Sequence, residues 1–150
     1  MFEGREFQSE PTLLRSSELA NDLHPEPLTP GTVNLCIDMQ RLFSRNGPWP
    51  TPWMDRVLPV VIDLASRYAE RTVFTRFIPP KRPEDMPGMW HRYYTKWQQA
   101  TREQLDPALL ALLPPLAKVC PPATIVDKTR YSAFAEPHLL THLQSRVRMA

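Results

Sequence analysis

Three short apolar runs, separated by longer polar and proline-rich stretches, dominate the hydrophobic pattern of this chain. They cover residues 32–37, 72–75 and 123–127. Near-continuous runs of this length are typical of strands that are covered on both faces in a parallel sheet. Between the first two runs, residues 54–68 repeat apolar side chains at helical spacing. This predicts a helix, and with the flanking strands a right-handed β-α-β unit.

Further helices follow from the same periodicity and from the prolines that mark where helices begin and end. They are predicted over 89–104, which is rich in aromatic residues, over 106–113 and over 136–146. The last two carry a proline in the first turn, where its missing N–H costs nothing. Pro59 falls inside the pattern of the first helix, so that helix should kink there or begin nearer Leu58.

The order of these elements is strand, helix, strand, helices, strand, helix, which predicts an α/β domain with a doubly wound, Rossmann-like parallel sheet in three layers. We expect the strands in the order 3-2-1, truncated to about three because the other half of such a sheet is missing. Residues 1–31 are interpreted as a mostly irregular N-terminal extension with a short helix over 12–22. Residues 32–150 form the N-terminal part of the domain.

The composition of the chain excludes several classes of protein. The chain has 150 residues, a formal charge of +2, 18 prolines and only 4 glycines. So small a charge does not indicate a nucleic-acid partner. We find no signal peptide and no apolar run long enough to cross a membrane. Two cysteines are too few for a disulfide framework, and free thiols suit a reducing compartment, so we expect a cytoplasmic protein.

Two charged residues stand where predicted strands end. Asp38 closes the first apolar run, and Lys128 follows the third. Ligands of open parallel sheets bind beyond the carboxyl ends of the strands. We therefore expect a carboxylate and an ammonium to meet at one rim of the sheet, as part of a catalytic site.

Three segments make the chain similar to the isochorismatase-like family of cysteine hydrolases. They are Leu-Cys-Ile-Asp-Met-Gln at 35–40, Val-Phe-Thr-Arg at 73–76 and Asp-Lys-Thr-Arg-Tyr-Ser-Ala-Phe at 127–134. The third segment is the most specific, and all three occur in the family's order. The resemblance covers roughly residues 32–146.

The resemblance implies nucleophilic catalysis by a cysteine thiolate on a small amide, imine or vinyl ether, without a cofactor. Asp38 matches the aspartate that takes the thiol proton, and Lys128 matches the lysine that stabilises the charged site. A neighbouring cation makes a thiol more reactive. The residues expected to line the pocket for the small-molecule substrate are Gln40, Arg76, Trp90 and Tyr131.

The family's nucleophile lies on a later strand, turn and helix, and neither cysteine of this chain matches its position. Cys36 is two residues before Asp38 and deeper in the sheet, and Cys120 precedes the third strand. We therefore expect the chain as it stands to be inactive or nearly so. The alternative is a non-catalytic fragment or pseudoenzyme that binds a ligand or another protein. The first strand should expose an unpaired edge, so we also expect a homo-oligomer.

Histidines raise the question of a metal site. His138 and His142 are four residues apart on a predicted helix, but no glutamate follows His138 directly, so the zinc-protease pattern is absent. Family members that hydrolyse nicotinamide carry an Asp-x-His motif after the second strand, and residues 77–82 lack it. No metal is predicted. The aromatic residues of 90–97 are open to two interpretations, core or subunit contact on the one hand and pocket mouth on the other.

Overall fold

A computed structural model describes residues 29–148 and shows a small parallel sheet. Its strands are β1 (Asn34–Ile37), β2 (Thr72–Phe77) and β3 (Thr124–Lys128). All are parallel and adjacent in the order β1-β2-β3, which confirms the predicted α/β class and strand order. The predicted helix over 12–22, like most of the N-terminal extension, lies outside the described residues.

Four α-helices accompany the sheet. They are α1 (Met54–Arg67), α2 (Gly88–Lys96), α3 (Pro114–Ala117) and α4 (Pro137–Arg148). α1 begins at Met54 with Pro59 inside it, so the prediction of a start nearer Leu58 is wrong. Pro59 lies in the second turn, where it removes only the hydrogen bond to the Asp55 carbonyl. In the described part of the chain, no helix has the length and apolar character needed to span a bilayer.

Two predicted helices differ from the structure for local reasons. The helix over 89–104 stops at Lys96 and is followed by a single 3-10 turn, Gln98–Ala100. There the buried Thr101 hydroxyl donates to the Gln98 carbonyl, a side-chain bond that competes with helix continuation. The predicted helix over 106–113 is only a 3-10 turn, Pro107–Leu110.

The residues after that 3-10 turn are extended because they pair with the chain that leaves β1. Arg41 donates its main-chain N–H to the Ala111 carbonyl at 3.0 Å, and Leu113 donates to the Met39 carbonyl at 3.0 Å. Between them, Gln40 and Leu112 form an antiparallel bridge. This pairing fixes the path of the chain beside the carboxyl ends of the strands.

The sheet is covered on both faces by different helices. On the first, which we call the α1 face, Cys36 and Phe74 pack with Ala65 of α1 and Leu116 of α3. On the second, the α4 face, Val73 and Val126 pack with Leu139 of α4. Side chains alternate along a strand, so odd-numbered residues of β2 and even-numbered residues of β3 point to the α4 face.

Candidate active site

The structure brings Asp38 and Lys128 together at the carboxyl rim of the sheet. Lys128 Nζ lies 2.8 Å from Asp38 Oδ2, an ion-pair distance that is also a hydrogen-bond distance. The lysine side chain is only 3% exposed, whereas the aspartate side chain is 21% exposed. The carboxylate is therefore the part of this pair that an incoming ligand can reach.

Asp38 is held in an unusual backbone conformation just beyond β1. Its φ is +56°, in the left-handed region that aspartate tolerates better than most residues. Its N–H is shared between the Thr75 carbonyl at 3.1 Å and the Thr75 hydroxyl at 3.2 Å. That hydroxyl donates in turn to Asp38 Oδ1 at 3.0 Å. One threonine thus fixes both the backbone and the carboxylate of Asp38.

Sequence reasoning missed Thr75, although a signal was present. It directly follows the apolar Val73 and Phe74, and it is fully buried near the carboxyl end of β2. A buried hydroxyl has to be hydrogen-bonded, so it points to a polar neighbour. Which neighbour that is depends on the pairing of β1 with β2, and the pattern within one strand does not give it.

The Lys128 ammonium makes two hydrogen bonds besides its ion pair with Asp38. It donates to the carbonyl of Tyr131 at 2.9 Å and to that of Arg130 at 3.4 Å. The ammonium also lies 5.4 Å from the centre of the Phe77 ring, a cation–π distance. The ammonium is therefore enclosed by the chain, with two of its donors used by main-chain carbonyls.

The loop after β3 supplies these carbonyls because it is itself tied down. Glu136, just before α4, accepts a hydrogen bond at 3.0 Å from the main-chain N–H of Thr129. A 3-10 turn, Ala133–Ala135, and the buried Ala133 anchor the loop against the α4 face. The segment 129–136 therefore closes back over the end of β3 and surrounds the ammonium with its carbonyls.

Gln40 is placed beneath the rim rather than at its surface. It is fully buried, and its amide donates to the carbonyls of Phe77 at 3.1 Å and Leu110 at 2.9 Å. Its oxygen accepts from the Phe77 N–H at 2.7 Å. Every hydrogen of this amide is used by the main chain, so in this structure Gln40 ties two segments together and offers nothing to a substrate.

Arg76 is not brought to the Asp38–Lys128 pair. It points to the α1 face, opposite the face of Lys128, because β2 residues alternate and Phe77 is the register partner of Lys128. There its guanidinium forms two hydrogen bonds with Asp127, at 2.7 and 2.8 Å. This bidentate contact raises the pKa of Arg76.

Trp90 and Tyr131 expose much of their side chains. The Trp90 ring contacts Tyr93 and Tyr94 on α2, with ring centres 5.8 and 6.4 Å apart. Of this aromatic group only Tyr94 is buried, and burial raises its pKa to about 12. Tyr131 touches the site through its carbonyl, whereas the residue as a whole is 91% exposed.

Neither cysteine is placed as a nucleophile for the pair. Cys36 is buried on the α1 face, its thiol donates to Asn34 Oδ1, and burial raises its pKa to about 11. Cys120 packs against the core of the α1 face, whereas Lys128 points to the α4 face, and burial raises the pKa of the Cys120 thiol too. A high pKa keeps a thiol protonated and unreactive at neutral pH.

Other sites in the described residues are few. No group of three or more His, Cys, Asp or Glu comes together there as a metal-binding cluster. Two shallow surface cavities of about 230 and 330 Å³ lie near the amino end of β2, lined in part by Glu70 and Arg71. Neither is lined by Asp38 or Lys128.

Chemically, the rim offers one partly exposed carboxylate beside a fixed positive charge. Asp38 Oδ1 accepts a hydrogen bond from the Thr75 hydroxyl and Oδ2 forms the ion pair with Lys128, so lone pairs remain on both oxygens. The carboxylate can therefore accept a further proton without breaking either contact. A carboxylate held in place in this way can act as a base toward a ligand that reaches the rim.

Known proteins share the family and the fold of this chain. The family model of the isochorismatase domain matches residues 32–148. A search of curated proteins finds no match. A cysteine hydrolase from Pseudomonas syringae pv. phaseolicola 1448A has a similar structure, with a TM-score of 0.62 and 27% identity over 81% of this chain and 57% of that one.

A second similar structure is the pyrazinamidase of Pyrococcus horikoshii in complex with zinc, with a TM-score of 0.49 and 21% identity over 77% of this chain and 65% of that one. The chain spans less than two thirds of either solved protein. The family model, by contrast, covers most of the chain, including Asp38 and Lys128. The chain belongs to the isochorismatase domain family.

Proposed function

We propose that this chain carries the acid–base half of a cysteine hydrolase site. Asp38 is the general base that takes the proton of a cysteine thiol, and Lys128 is its cationic partner. The observation that carries the proposal is the 2.8 Å contact between a buried ammonium and a partly exposed carboxylate at the carboxyl rim of the sheet. General bases work within hydrogen-bond reach of the proton that they abstract, and Asp38 has both the exposure and the free lone pairs.

Charge balance supports these roles. Before the reaction the carboxylate and the ammonium cancel. When the proton moves from the thiol to Asp38, the new negative charge lies on sulfur, still beside the same ammonium, so the site stays neutral. The thiolate then attacks the electrophilic carbon of the substrate, and the proton on Asp38 is available to the leaving nitrogen or oxygen. Water hydrolyses the resulting adduct.

The substrates that fit this chemistry are small amides, imines or vinyl ethers, whose leaving groups need a proton. Trp90 and Tyr131 are proposed to contact the substrate, because their side chains are exposed. Gln40 and Arg76 are assigned to positioning instead, since the amide of Gln40 is buried and Arg76 is bound to Asp127 on the other face of the sheet. The two free thiols fit a cytoplasmic location.

A second candidate function follows from the cysteines. With a pKa of about 11, Cys36 is a poor nucleophile, and Cys120 packs on the α1 face, opposite the face of Lys128. We therefore propose that residues 1–150 alone hydrolyse little or nothing. A non-catalytic module that binds a ligand or a protein at the same rim is the alternative that this observation favours.

The test uses the complete natural polypeptide that contains these residues, assayed for hydrolysis of a panel of small amides, imines and vinyl ethers. Asp38→Asn removes the base and keeps a residue that tolerates the left-handed backbone. We expect kcat to fall by roughly 10²- to 10⁴-fold, the usual contribution of a general base. Lys128→Met keeps the length of the side chain and removes its charge, and we expect a loss of similar size.

Matched controls separate these effects from general changes in charge. Asp63→Asn and Lys118→Met alter exposed residues of the same kinds and should leave kcat unchanged. Equal activity of Asp38→Asn and wild type would refute Asp38 as the base. If the wild-type polypeptide hydrolyses nothing in the panel, the non-catalytic function is the better account.

A further inference from the structure

Thr75 lies among apolar neighbours, yet it carries a hydroxyl. It is fully buried, and its register partners on the two flanking strands are Ile37 and Val126. Val73, two residues earlier on the same face of β2, is apolar as well. A valine has nearly the same branched shape and would fill this place equally well, so packing does not explain the hydroxyl. Its hydrogen bonds do.

Both hydrogen bonds of this hydroxyl go to one residue, Asp38. The hydroxyl accepts from the Asp38 N–H at 3.2 Å and donates to Asp38 Oδ1 at 3.0 Å. Thr75 Oγ1 thus closes a ring with the N, Cα, Cβ, Cγ and Oδ1 atoms of Asp38. An N–H can only donate and an ionised carboxylate can only accept, so the direction of both bonds is fixed. A closed ring of this size restricts the χ1 and χ2 torsions of Asp38 together.

Lys128 alone would not hold the carboxylate in this way. It contacts Oδ2 at 2.8 Å, and a contact at one oxygen leaves the other oxygen free to turn. The χ2 torsion of aspartate is broad and roughly two-fold, so it has little preference of its own. With the Thr75 hydroxyl on Oδ1 and the ammonium on Oδ2, both oxygens of Asp38 are placed at once.

The backbone of Asp38 supports a functional role independently. Its φ of +56° is unfavourable for most residues that have a side chain, and residues held in such conformations cluster at functional sites. The Asp38 N–H also donates to the main-chain carbonyl of Thr75 at 3.1 Å. That bond does not depend on the side chain at position 75. A substitution of Thr75 can therefore release the carboxylate and still leave a hydrogen bond on the backbone.

We propose that Thr75 is a positioning residue for proton transfer to Asp38. This role rests on the proposed function, in which Asp38 is the general base. The hydroxyl is buried and acts through Asp38 rather than on the substrate, because it keeps the carboxylate at the angle from which it takes the proton. A general base works only within hydrogen-bond reach, and a misplacement of about 1 Å can cost roughly a hundredfold in rate.

Two substitutions of opposite kind test this role in the complete natural polypeptide. Thr75→Val removes the hydroxyl and keeps the shape, so kcat should fall roughly tenfold to a hundredfold with little change in KM. Thr75→Ser keeps the hydroxyl and removes the methyl group, so kcat should stay close to that of wild type. A residue that only fills space would show the reverse order. In the Asp38→Asn background, Thr75→Val should lower kcat no further, because both changes act on the same step.

Thr72 provides a matched control on the same strand. It is 1% exposed, and its hydroxyl donates to the main-chain carbonyl of Tyr68 at 2.9 Å, at the amino end of β2. Thr72→Val should leave kcat unchanged. Full activity of Thr75→Val beside an impaired Asp38→Asn enzyme would overturn the role of Thr75 and leave the proposed function standing. Failure of the proposed function has a different sign, an Asp38→Asn enzyme as active as wild type.

A second measurement does not depend on activity. In the intact 150-residue chain, a buried hydroxyl proton that is locked in a hydrogen bond exchanges slowly with water and gives its own NMR signal. We expect such signals from Thr75 and from Thr72. Asp38→Asn replaces a charged acceptor by a neutral one, so it should move the Thr75 signal upfield and leave the Thr72 signal in place. A Thr75 signal that is absent, or that Asp38→Asn does not move, would overturn the proposal.

Discussion

At the scale of single residues, the site is a small polar cluster in which each side chain restricts the positions of its neighbours. Among the described residues, no buried side-chain nitrogen or oxygen lacks a hydrogen-bond partner. Thr75 holds the Asp38 carboxylate from one side and Lys128 from the other, at 3.0 and 2.8 Å. Satisfied networks of this kind rigidify the groups they contain, so the free lone pairs of Asp38 point in fixed directions.

The thiol of Cys36 gives a prediction about reactivity and pH at this scale. Its pKa is raised to about 11, so the protonated form persists well above neutrality. At pH 8 about one molecule in a thousand carries the thiolate. We expect iodoacetamide to alkylate Cys36 in the folded chain at least roughly a hundredfold more slowly than in the urea-unfolded chain. Peptide mass spectrometry follows each cysteine separately.

The direction in which the alkylation rate of Cys36 changes with pH gives a second test of this prediction. Because the pKa in the folded state is raised, the rate should climb about tenfold per pH unit from pH 8 towards pH 11. Cys120 serves as the internal comparison, being less buried than Cys36. A rate for Cys36 that levels off near pH 7 would contradict the structure and would make this cysteine a candidate nucleophile.

Sequence reasoning found some residues of the site and missed others for a physical reason. Asp38 and Lys128 could be found because each follows an apolar run, and the carboxyl ends of parallel strands meet. The position of Arg76 could not be predicted from the sequence. The face of the sheet to which its side chain points depends on the register of β2 against β3, which is a tertiary property. Gln40 follows Asp38 closely along the chain, yet its burial depends on residues 110–113, which are distant in sequence.

At the scale of elements, the connecting segments position the residues at the carboxyl ends of the strands as much as the strands themselves do. The segment after β1 pairs antiparallel with 111–113, and Gln40 clamps this pairing onto the end of β2. Sequence periodicity identified α1 because its apolar positions recur over four turns. It could not foresee that the apolar residues of 111–113 would be extended, since a short apolar run fits a strand and a helix equally well.

Replacing Gln40 tests how much the connecting segments contribute to the stability of the fold. Gln40→Leu fills nearly the same volume but leaves the Phe77 N–H and two carbonyls without partners in a buried place. Each unsatisfied group costs about 1–3 kcal/mol, so we expect the free energy of unfolding to fall by at least about 2 kcal/mol. Urea denaturation measures the change. Gln99→Leu, at an exposed position, should change it by no more than about 0.5 kcal/mol. An unchanged urea midpoint for Gln40→Leu would show that the clamp does not stabilise the fold.

At the scale of the whole molecule, a single small sheet joins two hydrophobic cores. One core lies between the sheet and α1 with α3, and the other lies between the sheet and α4. Val73 and Phe74 are neighbours in β2, yet they belong to opposite cores. Loss of packing in one core disturbs the strands that also border the other core. The two cores should therefore unfold together.

This coupling gives the final prediction. Leu116 and Leu139 are fully buried, one in each core. Leu116→Ala and Leu139→Ala should each lower the free energy of unfolding by about 2–5 kcal/mol, the usual cost of such a cavity. The exposed Leu140→Ala is the control and should have little effect. Because both cores share one sheet, each variant should shift a single cooperative transition, seen at the same urea concentration by circular dichroism and by tryptophan fluorescence. Two separate transitions would mean that the cores fold independently, and then the rim that joins Asp38, just beyond β1, to Lys128 of β3 would not be a rigid frame.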